Sequence, residues 1–348
     1  MDLLATHTLP DTATGRAALA RLDQVPGPKT LFILNDAGCL AGTLSDGDVR
    51  RGLLAGADLD DGVARFMNPR FRALRHGTYT VDDVRALRQQ QIYLVPVLDA
   101  DGCLRRVADL RTDRSILPLD AVIMAGGRGE RLRPLTDTTP KPLLPVGDKP
   151  IIEHNVDRLI SYGVRNLSIT VKYLGEQLEA FFGDGSAKGA RIGYTREDAP
   201  LGTMGSLALV EGLEHDTVLV MNSDLLTDID FEDFYDSFIA SGAEMAVASV
   251  PYKVPVPYAV LEVDAERILS FKEKPTYTYY SNGGIYLLKR SLIARIPVGG
   301  HYNATDLMEG LIAEGRKVSH YPLLGYWLDV GKHEDYRKAQ EDIRHLSL

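Results

Sequence analysis

The sequence predicts an α/β protein in which a small α+β domain precedes a larger domain built on a mostly parallel sheet covered by helices. Three observations lead to this prediction. The chain has 348 residues, which exceeds the length of one ordinary domain. Its first third contains an internal repeat, whereas strand and helix patterns alternate from Leu119 onward. The segment "RTDRSILPL" at 111–119 is the predicted boundary, and it separates a domain at 1–116 from one at 119–348.

The composition is that of a soluble globular protein, with 45% apolar and 25% charged residues. A net charge of -9 argues against a nucleic-acid partner, because such proteins usually present a basic face. The N-terminal "MDLLATHTLPDTATG" has neither the basic start nor the apolar run of a signal peptide. No stretch approaches the roughly 18 apolar residues needed to span a membrane. We therefore expect a cytoplasmic protein without a membrane partner.

The internal repeat aligns "FILNDAGCLAGTLSD" at 32–46 with "VPVLDADGCLRRVAD" at 95–109, with a shift of 64 residues. Each copy predicts a strand, a tight turn and a second strand. A helical pattern precedes each copy, and Thr80 or Asp82 is the predicted N-cap of the second helix. Cys39 and Cys103 are the only cysteines and occupy equivalent places in the repeat. They provide no disulfide framework, which fits a reducing cytosol, and we expect them to fill small core sites rather than bind a metal.

The repeated unit at 1–116 resembles the CBS domain pair, a regulatory module that binds adenine nucleotides. The similarity is most specific in "GTLSDGDVRR" at 42–51. It implies that Ser45 contacts phosphate or ribose and that Asp48 holds ribose hydroxyls. The second copy has "DLRT" at 109–112 and lacks the motif, so at most one adenine-nucleotide site is expected. A dimerising module in which Ser45 is an ordinary helix cap remains open, and CBS pairs commonly self-associate, so we expect a homo-oligomer.

The second domain begins as a regular alternation of apolar strands and amphipathic helices. Its first strands are predicted at 120–125, 167–172, 191–197 and 217–224, and its first helices at 152–163, 174–185 and 202–213. Beyond Phe231 the pattern is mixed, with strands predicted at 244–250, 258–263, 267–273 and 283–289, and helices at 305–315 and 333–345. In such sheets ligands bind at the carboxyl ends of the strands.

A glycine-rich stretch, "MAGGRGERLRPLTDTTPKPLLP" at 124–145, follows the first of these strands. The three glycines Gly126, Gly127 and Gly129 let backbone amides approach a ligand without interference from Cβ atoms, and such amides form an anion cradle. Arg131 and Lys141 add positive charge in an otherwise acidic protein. The stretch is neither a Walker A motif nor a dinucleotide fingerprint, because it lacks the Gly-Lys-Ser/Thr of the first and the third glycine of the second. It predicts a small anionic ligand.

The stretch and the motifs that follow it resemble the sugar-1-phosphate nucleotidylyltransferases over about residues 119–348. The further motifs, in order, are "YLGEQLEAFFGDGS", "APLGTMGSL", "NSD", "PYAV", "FKEKP", "NGGIY" and "YWLDVGKHEDY". The resemblance implies a GT-A-like (Rossmann-like) α/β/α sandwich with a mixed central sheet. It also implies the reaction of a nucleoside triphosphate with a sugar-1-phosphate to give a nucleotide sugar and pyrophosphate.

By the same resemblance, the three glycines would wrap the triphosphate, and Gly126 would lie beneath the ribose. Arg131 would hold the leaving phosphates, and Lys141 would contact the α-phosphate. Asp224 and Asp329 match the family's two magnesium ligands, so Mg²⁺ is the implied cofactor.

The resemblance also implies contacts to the base and to the sugar phosphate. Backbone groups of Gly202 and Thr203 would face the base. On the sugar side, Lys274 would bind the phosphate, while further contacts would come from Tyr258, Ala259, Glu273 and Asn282.

The sequence predicts the type of reaction more specifically than it predicts the nucleotide and the sugar. Ala259 stands where glycine is usual in the family and Met204 where alanine is usual, which puts the sugar and base pockets in doubt. A CBS pair ahead of this domain resembles guanylyltransferases of bacterial surface-sugar (surface polysaccharide) pathways, such as the glucosamine-1-phosphate enzyme of legionaminic acid synthesis. GTP is therefore favoured over UTP, CTP and dTTP, with glucosamine-1-phosphate or a mannose- or heptose-type phosphate as the sugar. A catalytically silent nucleotide-sensing subunit and a glycosyltransferase are the alternatives from other classes.

Overall fold

A computed structural model of the chain describes residues 3–346. The chain divides into two compact units. One comprises the described residues up to Leu119 together with Leu159–Arg165 and Gly185–Arg191. The other comprises Asp120–Arg158, Asn166–Asp184 and the chain from Ile192 onward. Within residues 3–346, no helix is both long and apolar enough to cross a membrane.

The N-terminal unit contains two small sheets of three strands each. Its helices are α1 (Leu3–His7), α2 (Gly15–Gln24), α3 (Asp46–Leu54) and α4 (Val81–Gln89), and its strands are β1 (Thr8–Pro10), β2 (Thr30–Leu34), β3 (Leu40–Ser45), β4 (Leu74–Arg75), β5 (Leu94–Leu98) and β6 (Leu104–Asp109). In the first sheet β2 pairs in parallel with β1 and antiparallel with β3. In the second sheet β5 pairs in the same way with β4 and β6. The helix predicted over the second copy is α4, and Thr80 is its N-cap.

The internal repeat is confirmed by the register of these strands. Leu34 pairs with Leu40 in the first copy, and Leu98 pairs with Leu104 in the second. The two copies also meet reciprocally, because the amide of Leu40 donates to the carbonyl of Gly102 and the amide of Leu104 donates to that of Gly38. The unit is therefore a duplicated strand–turn–strand element with approximate internal two-fold symmetry.

The expectation for the two cysteines was wrong. Cys39 and Cys103 are half-buried rather than core residues, and they form a disulfide across an antiparallel bridge. The reason is the symmetry of the repeat, which brings the equivalent turns face to face. The amide of each cysteine is fixed by a side chain of its own turn, Asn35 in the first copy and Asp99 in the second.

The elements after Leu119 follow the predicted alternation. The strands are β7 (Asp120–Met124), β8 (Pro145–Val146), β9 (Lys149–Pro150), β10 (Asn166–Val171), β11 (Arg191–Arg196), β12 (Thr217–Asn222), β13 (Leu225–Thr227), β14 (Met245–Pro255), β15 (Val260–Asp264), β16 (Arg267–Lys272), β17 (Thr276–Lys289), β18 (Val318–Pro322) and β19 (Trp327–Asp329). The helices are α5 (Ile151–Ser161), α6 (Gly175–Phe182), α7 (Phe231–Ser241), α8 (Ala304–Ala313) and α9 (His333–Asp342).

Seven strands form the central sheet, in the order β11-β10-β7-β12-β17-β14-β18. β7 pairs in parallel with β10 and β12, whereas β17 runs antiparallel to β12 and β14, so the predicted mixed sheet is confirmed. The central strands are buried along most of their length, which explains their continuous apolar runs. Because β7 and β12 are parallel neighbours, the segments after Met124 and Asn222 leave the sheet at the same edge.

One predicted helix, at 202–213, is present only as a 3-10 helix over Gly205–Leu209. Its start is fixed by close backbone contacts instead of helical hydrogen bonds. Gly202 has φ +80°, and a Cβ atom there would lie 2.6 Å from the carbonyl oxygen of Tyr302. The amide of Met204 donates to that same carbonyl. The predicted helix was therefore wrong, because tertiary contacts override the local apolar pattern.

Candidate active site

The glycine-rich loop leaves the sheet at the carboxyl end of β7, as predicted. Gly129 has φ +64°, a conformation that favours glycine, and it precedes the 3-10 helix Glu130–Leu132. A Cβ atom at Gly129 would lie 2.9 Å from the Cβ atom of Lys141. The last glycine of the loop therefore packs directly against the predicted catalytic lysine.

Side-chain hydrogen bonds, some from within it and some from the following segment, hold the glycine-rich stretch in place. The hydroxyl of Thr136 donates to the carbonyl of Gly129 over 2.9 Å. Tyr173 donates through its hydroxyl to the carbonyl of Thr136, and Gln177 of α6 donates to the carbonyl of Thr138. These contacts support a preorganised loop, which is what an anion-binding backbone requires.

Lys141 is buried, with 8% of its surface exposed, and it lies in the 3-10 helix Lys141–Leu143. Pro140 precedes this turn and Pro142 is part of it, so the backbone around the lysine is restricted. The ammonium forms an ion pair with the carboxylate of Asp224 and lies 3.9 Å from Asp329 Oδ1. The structure thus brings together three predicted residues that are widely separated in sequence.

A small two-stranded sheet places the two aspartates side by side. β13 and β19 are antiparallel, and Leu225 pairs with Asp329. The amide of Val330 donates to the carbonyl of Asp224 over 3.0 Å, which extends this pairing by one residue. Because Asp224 directly precedes β13 and Asp329 ends β19, the ladder fixes both carboxylates next to Lys141.

The two carboxylates fit a divalent metal. Asp224 Oδ1 and Asp329 Oδ1 are buried and accept no hydrogen bond. Burial, reinforced by the charge of Asp224, raises the pKa of the Asp329 carboxyl, although Lys141 and Arg131 act in the opposite direction. Residues 3–346 hold no cluster of three or more metal-ligating side chains. A pair of carboxylates is nevertheless the usual protein contribution to Mg²⁺ that also binds phosphate oxygens.

Arg131 lies at the margin of this cluster. Its side chain is exposed, and a Cβ atom at Gly331 would lie 3.2 Å from Arg131 Nη2. The guanidinium is also close enough to Asp329 to lower the pKa of that carboxyl. Arg131 therefore adds positive charge beside the aspartates while remaining accessible to a ligand.

The predicted base-binding residues are engaged with the start of α8. The amide of Thr203 donates to Asn303 Oδ1 over 3.2 Å, and the Thr203 hydroxyl accepts from the amide of Ala304. Gly202 packs against the backbone of Tyr302. These contacts fix the course of the 201–204 segment.

Four of the five predicted sugar-binding residues lie on an exposed segment of the second unit, which we call the projecting arm. The arm consists of the β15–β16 hairpin and the outer halves of β14 and β17, where most side chains are exposed. Tyr258, Ala259, Glu273 and Lys274 are all exposed there. Asn282 lies further along β17 and accepts a hydrogen bond from the amide of Gly284.

One residue near the glycine loop was missed by the sequence analysis. Glu197 follows β11 directly, and its amide donates to the carbonyl of Val171 at the end of β10. A Cβ atom at Gly126 would lie 2.9 Å from Glu197 Oε1 and 3.1 Å from Oε2. The signal was present in the sequence, because Glu197 is a carboxylate at the carboxyl end of a predicted strand.

In the N-terminal unit, Ser45 and Asp48 cap α3. The Ser45 hydroxyl donates to Asp48 Oδ2 over 2.6 Å, and the amides of both residues are bonded to the other's side chain. Asp48 also forms an ion pair with Arg51. This is the helix cap that the sequence analysis left open as an alternative.

Comparison with known protein families gives a match that begins at the first strand of the central sheet. The family model described as "Nucleotidyl transferase" matches residues 120–345. Two solved structures are also similar in fold. A chain described as a glucose-1-phosphate thymidylyltransferase from Bacillus anthracis aligns with a TM-score of 0.54 and 25% identity, over 66% of this chain and 97% of that one. HddC from Yersinia pseudotuberculosis aligns with a TM-score of 0.51 and 24% identity, over 64% and 99%.

Several similar curated proteins are named as guanylyltransferases or guanyltransferases. A mannose-1-phosphate guanylyltransferase of Mycobacterium tuberculosis is 36% identical over 231 residues, which cover 65% of this chain and 64% of that protein. The catalytic subunit beta of the Danio rerio enzyme of the same name is 34% identical over 226 residues, which cover 63% and 62%. A mannose-1-phosphate guanyltransferase of Schizosaccharomyces pombe is 34% identical over 227 residues, with the same coverage. The chain thus spans less than two thirds of the length of these relatives.

Proposed function

The chain belongs to the nucleotidyl transferase family, and from this premise we propose that it joins a nucleoside triphosphate to a sugar-1-phosphate. In this reaction an oxygen of the sugar phosphate attacks the α-phosphorus of the triphosphate. A new oxygen–phosphorus bond forms, the bond from the α-phosphorus to the bridging oxygen breaks, and pyrophosphate leaves. A phosphate monoester has a second pKa of about 6, so the attacking oxygen is already ionised at neutral pH. The reaction requires alignment and charge neutralisation rather than a general base.

The observation that supports the proposal most strongly is the Lys141 cluster at the end of the glycine loop. Lys141 pairs with Asp224 and approaches Asp329, while its Cβ atom packs on Gly129. Backbone amides of the loop would bind the triphosphate, and Lys141 would neutralise charge on the α-phosphate. Arg131, exposed beside the cluster, would hold the leaving pyrophosphate. Within residues 3–346, no histidine hydrogen-bonds to Lys141, Asp224 or Asp329.

Asp224 and Asp329 would hold the divalent metal, which we propose to be Mg²⁺. A bound Mg²⁺ would draw negative charge from the phosphate oxygens and orient them. The two buried carboxylate oxygens without hydrogen-bond partners support this assignment. The Lys141 ammonium already pairs with these carboxylates. A bound metal would therefore compete with the ammonium for them.

The proposed substrates are GTP and a mannose-type sugar-1-phosphate. The names of the relatives from three organisms support both halves of this proposal. Glucosamine- and heptose-type phosphates remain in the proposed sugar range. On the sugar side, Lys274 would bind the phosphate, and Glu273, Asn282 and the backbone near Tyr258 and Ala259 would contact sugar hydroxyls. Backbone groups of the 202–203 segment would face the base.

For the N-terminal unit we propose a regulatory role for residues 1–116 as a tandem CBS pair. Support comes from the duplicated sheets and their reciprocal contacts across the repeat. An adenine nucleotide would bind near Ser45 and Asp48, at the N-terminus of α3, and self-association would occur through this unit. The helix cap formed by the two side chains places a hydroxyl and backbone amides at that terminus.

Pyrophosphate release tests the proposed reaction. The assay would combine Mg²⁺ with each of GTP, ATP, UTP, CTP and dTTP and with a panel of sugar-1-phosphates. We expect release with GTP and one sugar-1-phosphate, and a loss of a few hundredfold or more in Asp224→Asn. The matched control is Asp228→Asn, which changes an aspartate of the following loop outside the Lys141 cluster. Release that is unaffected by Asp224→Asn would contradict the assignment of the site.

A further inference from the structure

Two parts of the glycine-rich stretch contact one side chain that lies outside it, that of Tyr173. The Tyr173 hydroxyl donates to the carbonyl oxygens of Thr136 and Asp137 over 3.1 and 3.0 Å, as a hydrogen bond shared between two acceptors. The guanidinium of Arg128 lies over the Tyr173 ring, 5.7 Å from its centroid. The hydroxyl therefore holds the segment that leads to Lys141, while the ring holds the segment that contains the three glycines.

Neighbouring hydrogen bonds extend this connection in both directions. The Thr136 hydroxyl donates to the carbonyl of Gly129 over 2.9 Å, which joins the two segments directly. Gln177 donates through its side-chain amide to the carbonyl of Thr138, also over 2.9 Å. The carbonyls of three successive residues are thus held by side chains just before the turn that carries Lys141.

The connection that presents Tyr173 is itself under backbone strain. It runs from Val171, the last residue of β10, to Gly175, the first residue of α6. Leu174 has φ +51° and ψ 33°, in the left-handed region that a leucine rarely occupies. A Cβ atom at Gly175 would lie 2.8 Å from the Cβ atom of Val171, so the connection needs glycine to turn this tightly. Strain of this kind persists where the surrounding structure requires a particular geometry.

The Tyr173 ring is the main restraint on Arg128. Among the described residues, the ion pair of Arg128 is with Glu130, over 3.9 Å, and 63% and 65% of the two side chains are exposed. An ion pair this exposed contributes little. The cation–π contact limits the positions of the guanidinium, which can still donate hydrogen bonds to an anion through its edge. The ring therefore preorganises a cation within the anion-binding loop.

We infer that Tyr173 is a positioning residue for the triphosphate-binding stretch. Its hydroxyl sets the approach of the Lys141 segment to the glycine loop, and its ring sets the position of the Arg128 guanidinium. This inference rests on the proposed function, because it takes the ligand of the stretch to be the triphosphate. Tyr173 acts through the backbone of the stretch, and a displacement of about 1 Å in a catalytic group can reduce the rate on the order of a hundredfold.

Tyr173→Phe tests the hydroxyl, because phenylalanine keeps the ring and removes the shared hydrogen bond. The matched control is Tyr194→Phe, since the Tyr194 hydroxyl donates to the carbonyl of Gly183 over 2.7 Å, outside the glycine-rich stretch. Both variants lose a hydrogen bond from a tyrosine hydroxyl to the backbone, so their melting temperatures should fall by similar amounts. Only Tyr173→Phe should lower kcat, by roughly tenfold to a hundredfold, with the KM for the sugar-1-phosphate unchanged.

Tyr173→Leu tests the ring. It should weaken equilibrium binding of GTP in the presence of Mg²⁺ roughly tenfold relative to Tyr173→Phe, because the restraint on the Arg128 guanidinium is lost. In a chain that also carries Arg128→Gln, replacing the ring should have little further effect on GTP binding. The two substitutions then form a double-mutant cycle for this contact.

Amide hydrogen exchange measures the order of the stretch without substrate or turnover. The amide of Leu132 donates to the carbonyl of Gly129, and the amide of Asp137 donates to that of Pro134. In Tyr173→Phe these two amides should exchange roughly fivefold faster or more than in the wild type. In Tyr194→Phe they should exchange at the wild-type rate.

Three results would overturn the inference. The first is an equal kcat in the two phenylalanine variants. The second is unchanged exchange at Leu132 and Asp137 in Tyr173→Phe, which would show that the stretch keeps its order without the hydroxyl. The third is a loss of stability in Tyr173→Phe far beyond that of Tyr194→Phe, which would make the residue structural. Failure of the proposed reaction is seen separately, as a wild-type protein that releases no pyrophosphate while Tyr173→Phe still alters hydrogen exchange.

Discussion

Lys141 is held between two aspartates that the proposed reaction needs for a metal. Its ammonium pairs with Asp224 and lies 3.9 Å from Asp329 Oδ1. A lysine in this position neutralises the carboxylates and competes with a cation for them. The same residue is the proposed contact to the α-phosphate, so its position couples the metal to the substrate.

Replacing the lysine tests both roles. In Lys141→Met we expect turnover to fall a few hundredfold, because one preorganised charge is lost from the reacting phosphates. Mg²⁺ alone should raise the melting temperature of the variant more than that of the wild type, because the metal then meets two uncompensated carboxylates. The measurements are pyrophosphate release and thermal unfolding with and without Mg²⁺. Lys149→Met is the control, since Lys149 pairs with Asp157 away from the cluster. An equal response of wild type and Lys141→Met to Mg²⁺ would contradict the competition.

Asp120 is a buried carboxylate whose hydrogen-bond donors all come from the second unit. The amides of Glu214 and His215 donate to Asp120 Oδ2, and Asn166 donates to Oδ1. Burial favours the neutral acid, but hydrogen bonds from His215 and Asn166 outweigh it and hold the pKa of Asp120 below its ordinary value. Since the folded pKa is depressed, ionised Asp120 stabilises the fold above a pH of about 4, and this contribution is lost as the pH falls through the folded pKa.

Asp120→Asn should lower the free energy of unfolding by about 2 kcal/mol at pH 7, because an amide cannot accept all of these hydrogen bonds. The difference from the wild type should shrink as the pH is lowered below about 4. Urea unfolding at several pH values measures both effects. Asp216→Asn is the control, since the Asp216 side chain is 99% exposed and forms a surface ion pair with Arg290. A difference between wild type and Asp120→Asn that persists unchanged in acid would show that its cause is not the ionised carboxylate.

At the scale of elements, the projecting arm is the least enclosed part of the second unit. Every residue of β16 is exposed, and exposed apolar side chains such as Leu261, Ile268 and Phe271 lie along the hairpin. A two-stranded hairpin is only marginally stable in water by itself. The connection from β16 to β17 contains Lys274, the residue proposed to bind the sugar phosphate.

Replacing Lys274 on the arm should change the KM for one substrate and not for the other. Lys274→Ala should raise the KM for the sugar-1-phosphate roughly tenfold to a hundredfold, because it removes a charge-assisted hydrogen bond to phosphate. The KM for GTP should remain close to that of the wild type. Lys272→Ala is the matched control, since Lys272 lies in β16 and pairs with Glu262 over 3.2 Å. Equal effects of the two substitutions on both KM values would refute the assignment of Lys274.

The sequence predicted those elements whose pattern is local. β7 and β12 are nearly continuous apolar runs, β10 is rich in β-branched residues, and the glycine loop follows β7 as expected. The sequence did not predict that β13 pairs with β19, because two three-residue strands from distant segments leave no periodic signal. Asp224 and Asp329 were therefore predicted from family resemblance, while their adjacency comes from the structure. Glu197 was missed because its significance lies in a contact with Gly126 across β10.

At the scale of the whole molecule, the chain combines a duplicated N-terminal unit with a unit that contains the proposed catalytic site. The family model begins at residue 120 and therefore does not include the duplicated strands of the first unit. The proposed regulatory role of the first depends on Ser45 and Asp48, which also cap α3. A test of regulation must therefore distinguish loss of a ligand from loss of a helix cap.

The capping box at α4 serves as a control for the one at α3, because Thr80 and Asp83 form it in the same way as Ser45 and Asp48. Ser45→Ala with Asp48→Asn should abolish the binding of ATP or AMP by the full-length protein and any effect of these nucleotides on turnover. Thr80→Ala with Asp83→Asn should cost about the same stability, roughly 1 kcal/mol per cap, and leave both properties intact. Calorimetric titration and pyrophosphate release are the measurements. Loss of adenine-nucleotide binding in both pairs would indicate that the cap, rather than a binding site, is responsible.

In the proposed reaction, the glycine loop and the Lys141 cluster direct attack on the α-phosphorus of GTP. The most direct test follows the phosphorus atoms through the reaction with mannose-1-phosphate and Mg²⁺, using GTP labelled in the α- or the γ-position. We expect the α-label to appear in a GDP-sugar and the γ-label in pyrophosphate, and both products to be lost in Lys141→Met. Transfer of the γ-label to the sugar, or release of the α-label as free nucleotide, would contradict the proposed reaction.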